Sequence, residues 1–450
     1  MGRLFGTDGA RGIANTELTC ELAMNIGKAA AMVLLDSESE GKPTILIGKD
    51  TRLSSDMLEG ALTAGLCSVG ANVVQLGAIP TPAVAFLVRK YNANAGIMIS
   101  ASHNPYEFNG IKIFNSDGYK LPDALEDKIE SIVLDNAIPY PTPSGDKLGS
   151  VSVLPDALDD YINHIVNSVE GNLKDLKIAI DCSNGSASST AKKLFELLGA
   201  ECHIMNCEPN GTNINDKCGS THMENLIEYV KSHNLDCGVA FDGDADRCLA
   251  VDEKGNLVDG DFVIAICAKD LQERGLLNNS TVVGTVMTNM GFNRFCENNG
   301  MKFVSTSVGD RYVLESMLEN DYSIGGEQSG HVIFLDYGTT GDGQLTGAQL
   351  LSIIKRSSKT LSELASVMQR FPQVLINVKV ATEKKDKYFT DKAIKAEVDK
   401  VKEQLKGRGR ILVRPSGTEP LIRVMLEGED YVEISDLANN VAELIRERLC

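Results

Sequence analysis

The sequence predicts an α/β protein: three related α/β domains of strand–helix repeats, with mixed and mostly parallel sheets, then a smaller C-terminal α+β domain. Three observations carry that expectation. Short apolar runs of strand type alternate with helix-type stretches in the order strand–helix–strand–helix–strand, and the order occurs three times. In each copy the last strand runs into a polar, loop-like peptide. Beyond about Phe371 the alternation stops.

The first copy comprises strand Thr44–Gly48, a helix from about Ser54 to Gly70, strand Asn72–Leu76, helix Ala83–Tyr91 and strand Gly96–Ile99. The second comprises strand Lys177–Asp181, helix Ala187–Leu198, strand Cys202–Met205, helix His222–His233 and strand Cys237–Phe241. The third comprises strand Thr281–Val286, helix Gly291–Asn299, strand Lys302–Ser305, helix Arg311–Asn320 and strand Tyr322–Gly325. The C-terminal part follows as strand Val374–Val380, a charged stretch Ala381–Lys387, amphipathic helix Asp391–Leu405, strands Arg410–Val413 and Leu421–Leu426, and helix Tyr431–Leu449. Pro139–Gly149 and Phe371-Pro372 read as connectors. Domains are therefore expected at 1–152, 153–255, 256–369 and 370–450.

Composition narrows the function. The 450 residues are 43% hydrophobic and 24% charged, ordinary for a globular protein of several domains. No apolar run is long enough to span a bilayer. The opening MGRLFGTDGARG has no signal-peptide core, and Gly6 stands where myristoylation needs Ser or Thr. A cytoplasmic location without membrane attachment is the expectation. The formal charge of −18, with no basic stretch, argues against a nucleic-acid partner. An anionic substrate would be repelled at long range and must be held by local cations. The 11 cysteines contain no C-x₂-C pair and suggest reduced thiols, and the six histidines lack the spacing of a zinc site.

Ligands of open α/β sheets bind at the carboxyl ends of strands. Three equivalent loops, Ser100–Pro105, Asp242–Arg247 and Gly326–His331, are thus candidates for one cleft. The first lies in Gly96–Lys112, GIMISASHNPYEFNGIK. Its strand stops at small and polar residues, which puts the Ser102 hydroxyl at the sheet edge. Lys112 follows on a second strand-like run, Ile111–Phe114, so one segment brings a nucleophile near a proton carrier. By itself this is an ordinary polar turn, and Ser100, on the strand side, is structural.

The second loop alternates Asp242, Asp244 and Asp246. Like charges about 4 Å apart cost on the order of 4 kcal/mol per pair at an effective dielectric near 20, so such a cluster calls for a cation. Hard oxygens suit magnesium. A calcium EF-hand is the rival, with Glu253 at its twelfth position. Arg247 in place of the sixth-position glycine, and strand-like flanks, weigh against it. In the third loop, Glu327 and Ser329 alternate within glycines and suit sugar hydroxyls. A fourth stretch, Arg414-Pro415-Ser416-Gly417-Thr418-Glu419-Pro420 with Arg423 beyond, offers hydroxyls, backbone N–H groups and guanidiniums to an anion, without Walker spacing. Gly6–Gly12 and Gly48–Arg52 add glycine-flanked cations. Together these parts call for phosphoryl transfer on a phosphorylated sugar.

RLFGTDGARG, SASHNP, DGDADR, GGEQSGH and RPSGTEP, in that order over the whole chain, resemble the α-D-phosphohexomutase superfamily. The resemblance implies three related α/β domains and one smaller α+β domain around a central cleft. It implies that Ser102 is a phosphoserine and that Asp242, Asp244 and Asp246 bind Mg²⁺ with its phosphate. It assigns Lys112 as a general acid/base, His331 as an assistant near the sugar, and Arg11 as an active-site arginine. Glu327 and Ser329 would read sugar hydroxyls. Arg414, Ser416, Gly417, Thr418 and Arg423 would hold the phosphate that does not react. Arg247, His103, Asn104 and Lys49 would support the site. Gln328 and the opening motif resemble the glucosamine branch. The implied reaction interconverts glucosamine 6-phosphate and glucosamine 1-phosphate through a glucosamine 1,6-bisphosphate intermediate, which also serves as primer, and feeds UDP-N-acetylglucosamine synthesis. The alternatives are a phosphoglucomutase/phosphomannomutase of the same fold and a non-catalytic sugar-phosphate binding protein. Members are often dimers, which gives an expectation of a homodimer.

Overall fold

The structure, a computed structural model, describes residues 2–6, 8–34, 42–416 and 420–450. The chain divides into two compact units, one running to Met287 and resuming over Lys302–Val367, the other made of Thr288–Met301 and Met368–Cys450.

The first unit holds three sheets. Strands β1 (Phe5–Gly6), β2 (Gly9–Ile13), β3 (Thr44–Lys49), β4 (Asn72–Ala78), β5 (Ala95–Ile99), β6 (Phe108–Asn115) and β7 (Val151–Val153) form a sheet in the order β1-β2-β6-β5-β3-β4-β7. Strands β8 (Lys177–Asp181), β9 (Glu201–Met205), β10 (Cys237–Phe241), β11 (Cys248–Asp252) and β12 (Leu257–Val258) form a second, ordered β12-β11-β10-β8-β9. Strands β13 (Thr281–Thr285), β14 (Lys302–Thr306), β15 (Ile324–Gly326) and β16 (Val332–Phe334) form a third, ordered β14-β13-β15-β16.

The three sheets share one plan. In each, three strands are parallel and a fourth returns antiparallel beside the third: β6 on β5, β11 on β10, β16 on β15. The repeat therefore has one more strand than the five-element reading, and each polar loop is the link into that returning strand. Parallel strands need both faces covered, and β5 shows it: Ala95–Ile99 is buried throughout. Helices Cys20–Leu34 and Leu53–Ser68 cross closely because Gly65 lies against the chain of Met24, where an added Cβ would stand 2.2 Å from its carbonyl oxygen. The expected helix Ala187–Leu198 is instead a 3₁₀ turn, Ser186–Ser189, and a short helix, Ala191–Leu197.

The second unit is an antiparallel sheet of β17 (Gln373–Lys379), β18 (Gly409–Pro415) and β19 (Leu421–Gly428), in the order β17-β19-β18. Helices Lys392–Gln404 and Tyr431–Leu449, started by the Asp391 and Asp430 side chains on backbone N–H groups, bury an apolar face with it around Ile394, Val424 and Ile445. Helix Met290–Asn298 belongs to this unit although its sequence lies inside the third repeat. The Asn289 carboxamide bonds both backbone groups of Phe371, and an added Cβ on Gly291 would stand 1.9 Å from the Gln369 carbonyl oxygen. Among the described residues no helix is long and apolar enough to cross a membrane.

Candidate active site

The three loops meet within the first unit. Ser102 is fully buried, and its backbone lies in the left-handed region (φ 52°), which L-residues rarely adopt. The surroundings hold it there. Its N–H donates to Ser100 Oγ at 2.9 Å, in keeping with a structural Ser100. Its carbonyl oxygen accepts from Arg52 Nη2 at 3.1 Å and Asn215 Nδ2 at 2.9 Å, and the same two donors reach the Asn104 carbonyl at 2.6 and 3.1 Å. The Ser102 hydroxyl donates to Asp242 Oδ2 at 2.5 Å.

Asp242, Asp244 and Asp246 are all buried, and one carboxylate oxygen from each lies within 4.8 Å of the others. Thr81 Oγ and Lys112 Nζ donate to Asp244 Oδ2 at 2.6 and 2.8 Å, and Lys112 is 3.3 Å from Asp246 Oδ2. Asp244 Oδ1 and Asp246 Oδ1 are buried without a hydrogen-bond partner, Asp246 Oδ1 lying 3.8 Å from Arg247 Nε. Burial, Asp246 and Asp244 together push the Asp242 carboxyl well above the usual carboxylate range. Converging hard oxygens, two of them unsatisfied, fit a divalent cation. Close packing keeps the loop beside the serine, since a Cβ on Gly243 would stand 2.6 Å from the Ser102 carbonyl oxygen.

Lys112 is buried in a ring of acids, with Asp8 at 3.1 Å as its third partner. Burial disfavours its charge, but Asp244, Asp8 and Asp246 overcome this and raise the ammonium well above the usual lysine range. It is thus held as a charged ammonium among three carboxylates. Arg11 pairs with Asp8, and Lys120 bridges Asp8 and Asp310 at 2.5 Å each. Asp310 lies 3.6 Å from His331 Nε2, which ties the third loop to this network. Arg247 Nη1 is 2.8 Å from His103 Nδ1, whose ring is held neutral, near about 4, by burial and by Arg247 and Arg11.

In the third loop, Glu327 Oε1 accepts the Gly309 N–H at 3.1 Å, Gln328 Nε2 donates to Asp259 at 3.3 Å, and Ser329 is exposed. Gly330 O accepts the Cys248 N–H at 3.0 Å, joining this loop to the start of β11. Lys49 is not brought to the serine; it pairs with Asp56 and Glu59 at 2.7 and 2.5 Å. In the second unit, Arg414 and Arg423 stand opposite each other on β18 and β19. Burial and Arg423 lower the Arg414 guanidinium below its ordinary value. Like charges so paired favour an anion between them. Ser416 is buried beside them, with its carbonyl held by Lys385 Nζ at 2.7 Å; Gly417 and Thr418 lie outside the described residues.

The sequence reading did not single out Asp8, Arg52, Thr81, Lys120, Asn215 or Asp310. Arg52 lies in the GKDTR stretch, where Lys49 is the residue named, and Asp8 lies in the opening motif, where Arg11 is named. Thr81, Lys120, Asn215 and Asp310 carry no local pattern.

The chain matches four domain families: phosphoglucomutase/phosphomannomutase alpha/beta/alpha domain I over residues 2–138, domain II over 159–255, domain III over 259–371, and the C-terminal domain over 375–444. It is 56% identical over 448 residues to a phosphoglucosamine mutase of Clostridium beijerinckii, covering 100% of both chains. It is 56% identical over 449 residues to one of Acetivibrio thermocellus, again covering 100% of both. In fold it resembles a phosphoglucomutase/phosphomannomutase family protein of Burkholderia thailandensis (24% identity, TM-score 0.83, covering 99% of this chain and 98% of that one). It also resembles Aspergillus fumigatus N-acetylphosphoglucosamine mutase, solved in complex with GlcNAc-6P and magnesium (17% identity, TM-score 0.68, covering 99% and 95%). With a buried serine on a three-carboxylate loop in a thrice-repeated sheet plan, and four domain matches in order, the chain belongs to the phosphoglucomutase/phosphomannomutase family.

Proposed function

We propose that the chain interconverts glucosamine 6-phosphate and glucosamine 1-phosphate by way of a phosphorylated Ser102. The observation that carries the chemistry is the buried Ser102 hydroxyl on Asp242, within a converging carboxylate set. The glucosamine assignment is supported by full-length relatives named phosphoglucosamine mutase.

In the proposed reaction, the Ser102 Oγ–P bond breaks as the phosphoryl group passes to O1 of the 6-phosphate; the O1 hydroxyl gives up its proton and Ser Oγ takes one up. The glucosamine 1,6-bisphosphate so formed turns around, and its 6-phosphoryl returns to Ser Oγ, which loses its proton as O6 gains one, leaving the 1-phosphate. One nucleophile serves both halves because the intermediate presents either end. Asp242, Asp244, Asp246 and the Ser102 phosphate would hold Mg²⁺, which neutralises charge on the transferring group. Arg52 and Asn215 fix the serine backbone, so little reorganisation is needed at transfer. Lys112 is assigned as proton donor, with Arg11 beside it on Asp8 and His331 on Asp310 as the second proton-handling group. His103 and Asn104 shape the serine loop, and Arg247 orients it. Glu327 and Ser329 are assigned to sugar hydroxyls. Arg414, Ser416, Gly417, Thr418 and Arg423 are assigned to the phosphate that does not react. Sheet-end loops and buried polar groups fit a small sugar phosphate as partner.

Phosphopeptide mapping of the purified protein, paired with turnover of glucosamine, glucose and mannose 6-phosphates, tests the reading. Phosphate on the Ser102 peptide and a preference for glucosamine 6-phosphate are expected. Ser102→Ala should lose at least about a thousandfold in turnover, as expected for a missing nucleophile. Full turnover in that variant would sink the phosphoserine mechanism. Preference for the neutral sugars would move the chain to the glucose/mannose branch.

A further inference from the structure

Two thiols that the reaction does not use lie close behind its machinery. Cys182 and Cys207 follow the neighbouring parallel strands β8 and β9, whose register pairs Asp181 with Met205. The turns after these strands are laced together: the Cys182 N–H donates to Met205 O at 3.0 Å and the Asn184 N–H to Asn206 O at 2.6 Å. The two cysteines thus stand in the turns that follow adjacent parallel strands. Cys182 is fully buried, whereas Cys207 is half-buried with its sulfur 3.6 Å from the Ser188 carbonyl oxygen. An accessible thiol backed by a hidden one is the arrangement of an attacking and a resolving cysteine. The Cys182 thiol, opposed by burial and aided by Ser188 and Lys192, lowers Cys207 to about 6, whereas burial pushes Cys202, Cys218 and Cys248 up.

The turn between these thiols and the site, Ser183–Ser186, touches both halves of the machinery. The Ser186 N–H donates to the Gly243 carbonyl at 2.8 Å, and an added Cβ on Gly185 would stand 2.3 Å from that same oxygen. The Asn184 carbonyl accepts the Thr51 hydroxyl at 2.6 Å. The Ser183 carbonyl accepts the N–H of Asn215, whose side chain holds the Ser102 carbonyl.

We propose that Cys182 and Cys207 form a reversible intramolecular disulfide under a peroxide, and that the bond displaces the Ser183–Ser186 turn and disables the Ser102–Asp242 site. The Cys207 thiolate attacks one peroxide oxygen, breaking the O–O bond; with one proton taken up, this gives a sulfenic acid and water. The Cys182 thiol then attacks the sulfenic sulfur, forming the S–S bond and releasing a second water. Two thiols are oxidised by two electrons and one peroxide is reduced. A disulfide holds its sulfurs at about 2.05 Å with a fixed dihedral, so forming it pulls on the two laced turns that carry them. A dithiol reverses the bond by exchange. The bond itself does not depend on the mutase reading; its effect on turnover rests on that reading.

The test uses the full-length protein with Mg²⁺, exposed to hydrogen peroxide, alkylated under denaturing conditions and peptide-mapped without reduction. The Cys182 and Cys207 peptides are expected to be joined, and sugar-phosphate turnover to fall about tenfold or more, as for a small displacement of reacting groups. Dithiothreitol should restore it. Cys207→Ser should keep full turnover under peroxide, and Cys182→Ser should leave a sulfenic acid on Cys207 that dimedone traps. Full alkylation of both thiols in the unsubstituted protein, at a dose that oxidises the exposed Cys450, would overturn the proposal. So would a joined pair with unchanged turnover. A reduced protein that turns over no sugar phosphate would instead count against the mutase reading, while the peptide map would still decide the bond.

Discussion

The acidic loop of the first unit and the β18–β19 strand pair of the second crowd like charges in opposite senses. Asp242, Asp244 and Asp246 are buried together, and the lysine among them satisfies one oxygen on each of two. Arg414 and Arg423 face each other across a strand pair, with Arg414 weakened as a cation by burial and by its neighbour. Crowded like charge costs free energy that grows with burial. The first set suits a cation and the second an anion. The carboxylates accept from Thr81, Lys112, the Arg247 N–H and the Ser102 hydroxyl. The arginines stand opposite each other on paired strands.

Removing the cation is the strongest way to break the comparison. Excess chelator should lower turnover by about a thousandfold or more, with recovery on adding Mg²⁺. Undiminished activity in chelator would leave the carboxylates as a structural cluster. A sharper version is Asp242→Asn, which keeps an acceptor oxygen for the Arg247 N–H, turns an N–H donor toward the Ser102 oxygen and removes a charge. Turnover should fall about a hundredfold, while the melting temperature in chelator rises above that of the unsubstituted protein. A lower melting temperature would mean the carboxylate group is not under repulsion.

The anion side should respond more mildly. Arg423→Ala should raise KM for the sugar phosphate about tenfold, with a smaller change in kcat, as for a group that binds ground and transition states alike. An unchanged KM would remove Arg423 from the phosphate site.

Asp342 supplies a contrast: a buried carboxyl displaced chiefly by burial, with Asp246 as a lesser like charge. It begins helix Gly343–Ser357, accepting the Leu345 N–H at 2.9 Å and the Tyr161 hydroxyl at 2.8 Å. Burial outweighs those bonds and raises it to about 7. Below the unfolded pKa both states are protonated and the group is neutral toward stability. As pH rises toward 7 the unfolded chain releases its proton before the folded one, so stability falls across that window and then levels. Asp342→Asn keeps the acceptor and should flatten the decline, gaining on the order of 2 kcal/mol at pH 8 and nothing at pH 4. Parallel stability curves for the two proteins would show that burial alone does not displace this carboxyl.

What was legible in the sequence was local in the chain. The three copies were visible because a strand buried on both faces must be a continuous apolar run, as Ala95–Ile99 and Cys237–Phe241 are. Ser102 and the three aspartates were visible because each motif sits within a few residues of such a strand end. The returning strands β6, β11 and β16 were less so, since a strand's direction depends on its neighbour. Helix Met290–Asn298 was assigned to the third repeat because its sequence lies there; its packing partners are Phe371 and Gln369.

The sequence by itself determined the fold class and the order of the polar loops, and it marked Ser102 and the three aspartates as candidates, because periodicity and strand-end position are properties of short segments. The tertiary structure alone decided what holds them. Arg52 reaches the Ser102 carbonyl across 50 residues, Asn215 across 113, and Lys120 joins Asp310 across 190. The left-handed turn at Ser102 is held by Arg52 and Asn215, and the charge on Lys112 by Asp244, Asp8 and Asp246. Contacts of that kind depend on which chain segments the sheets bring together, and no spacing in the sequence encodes them.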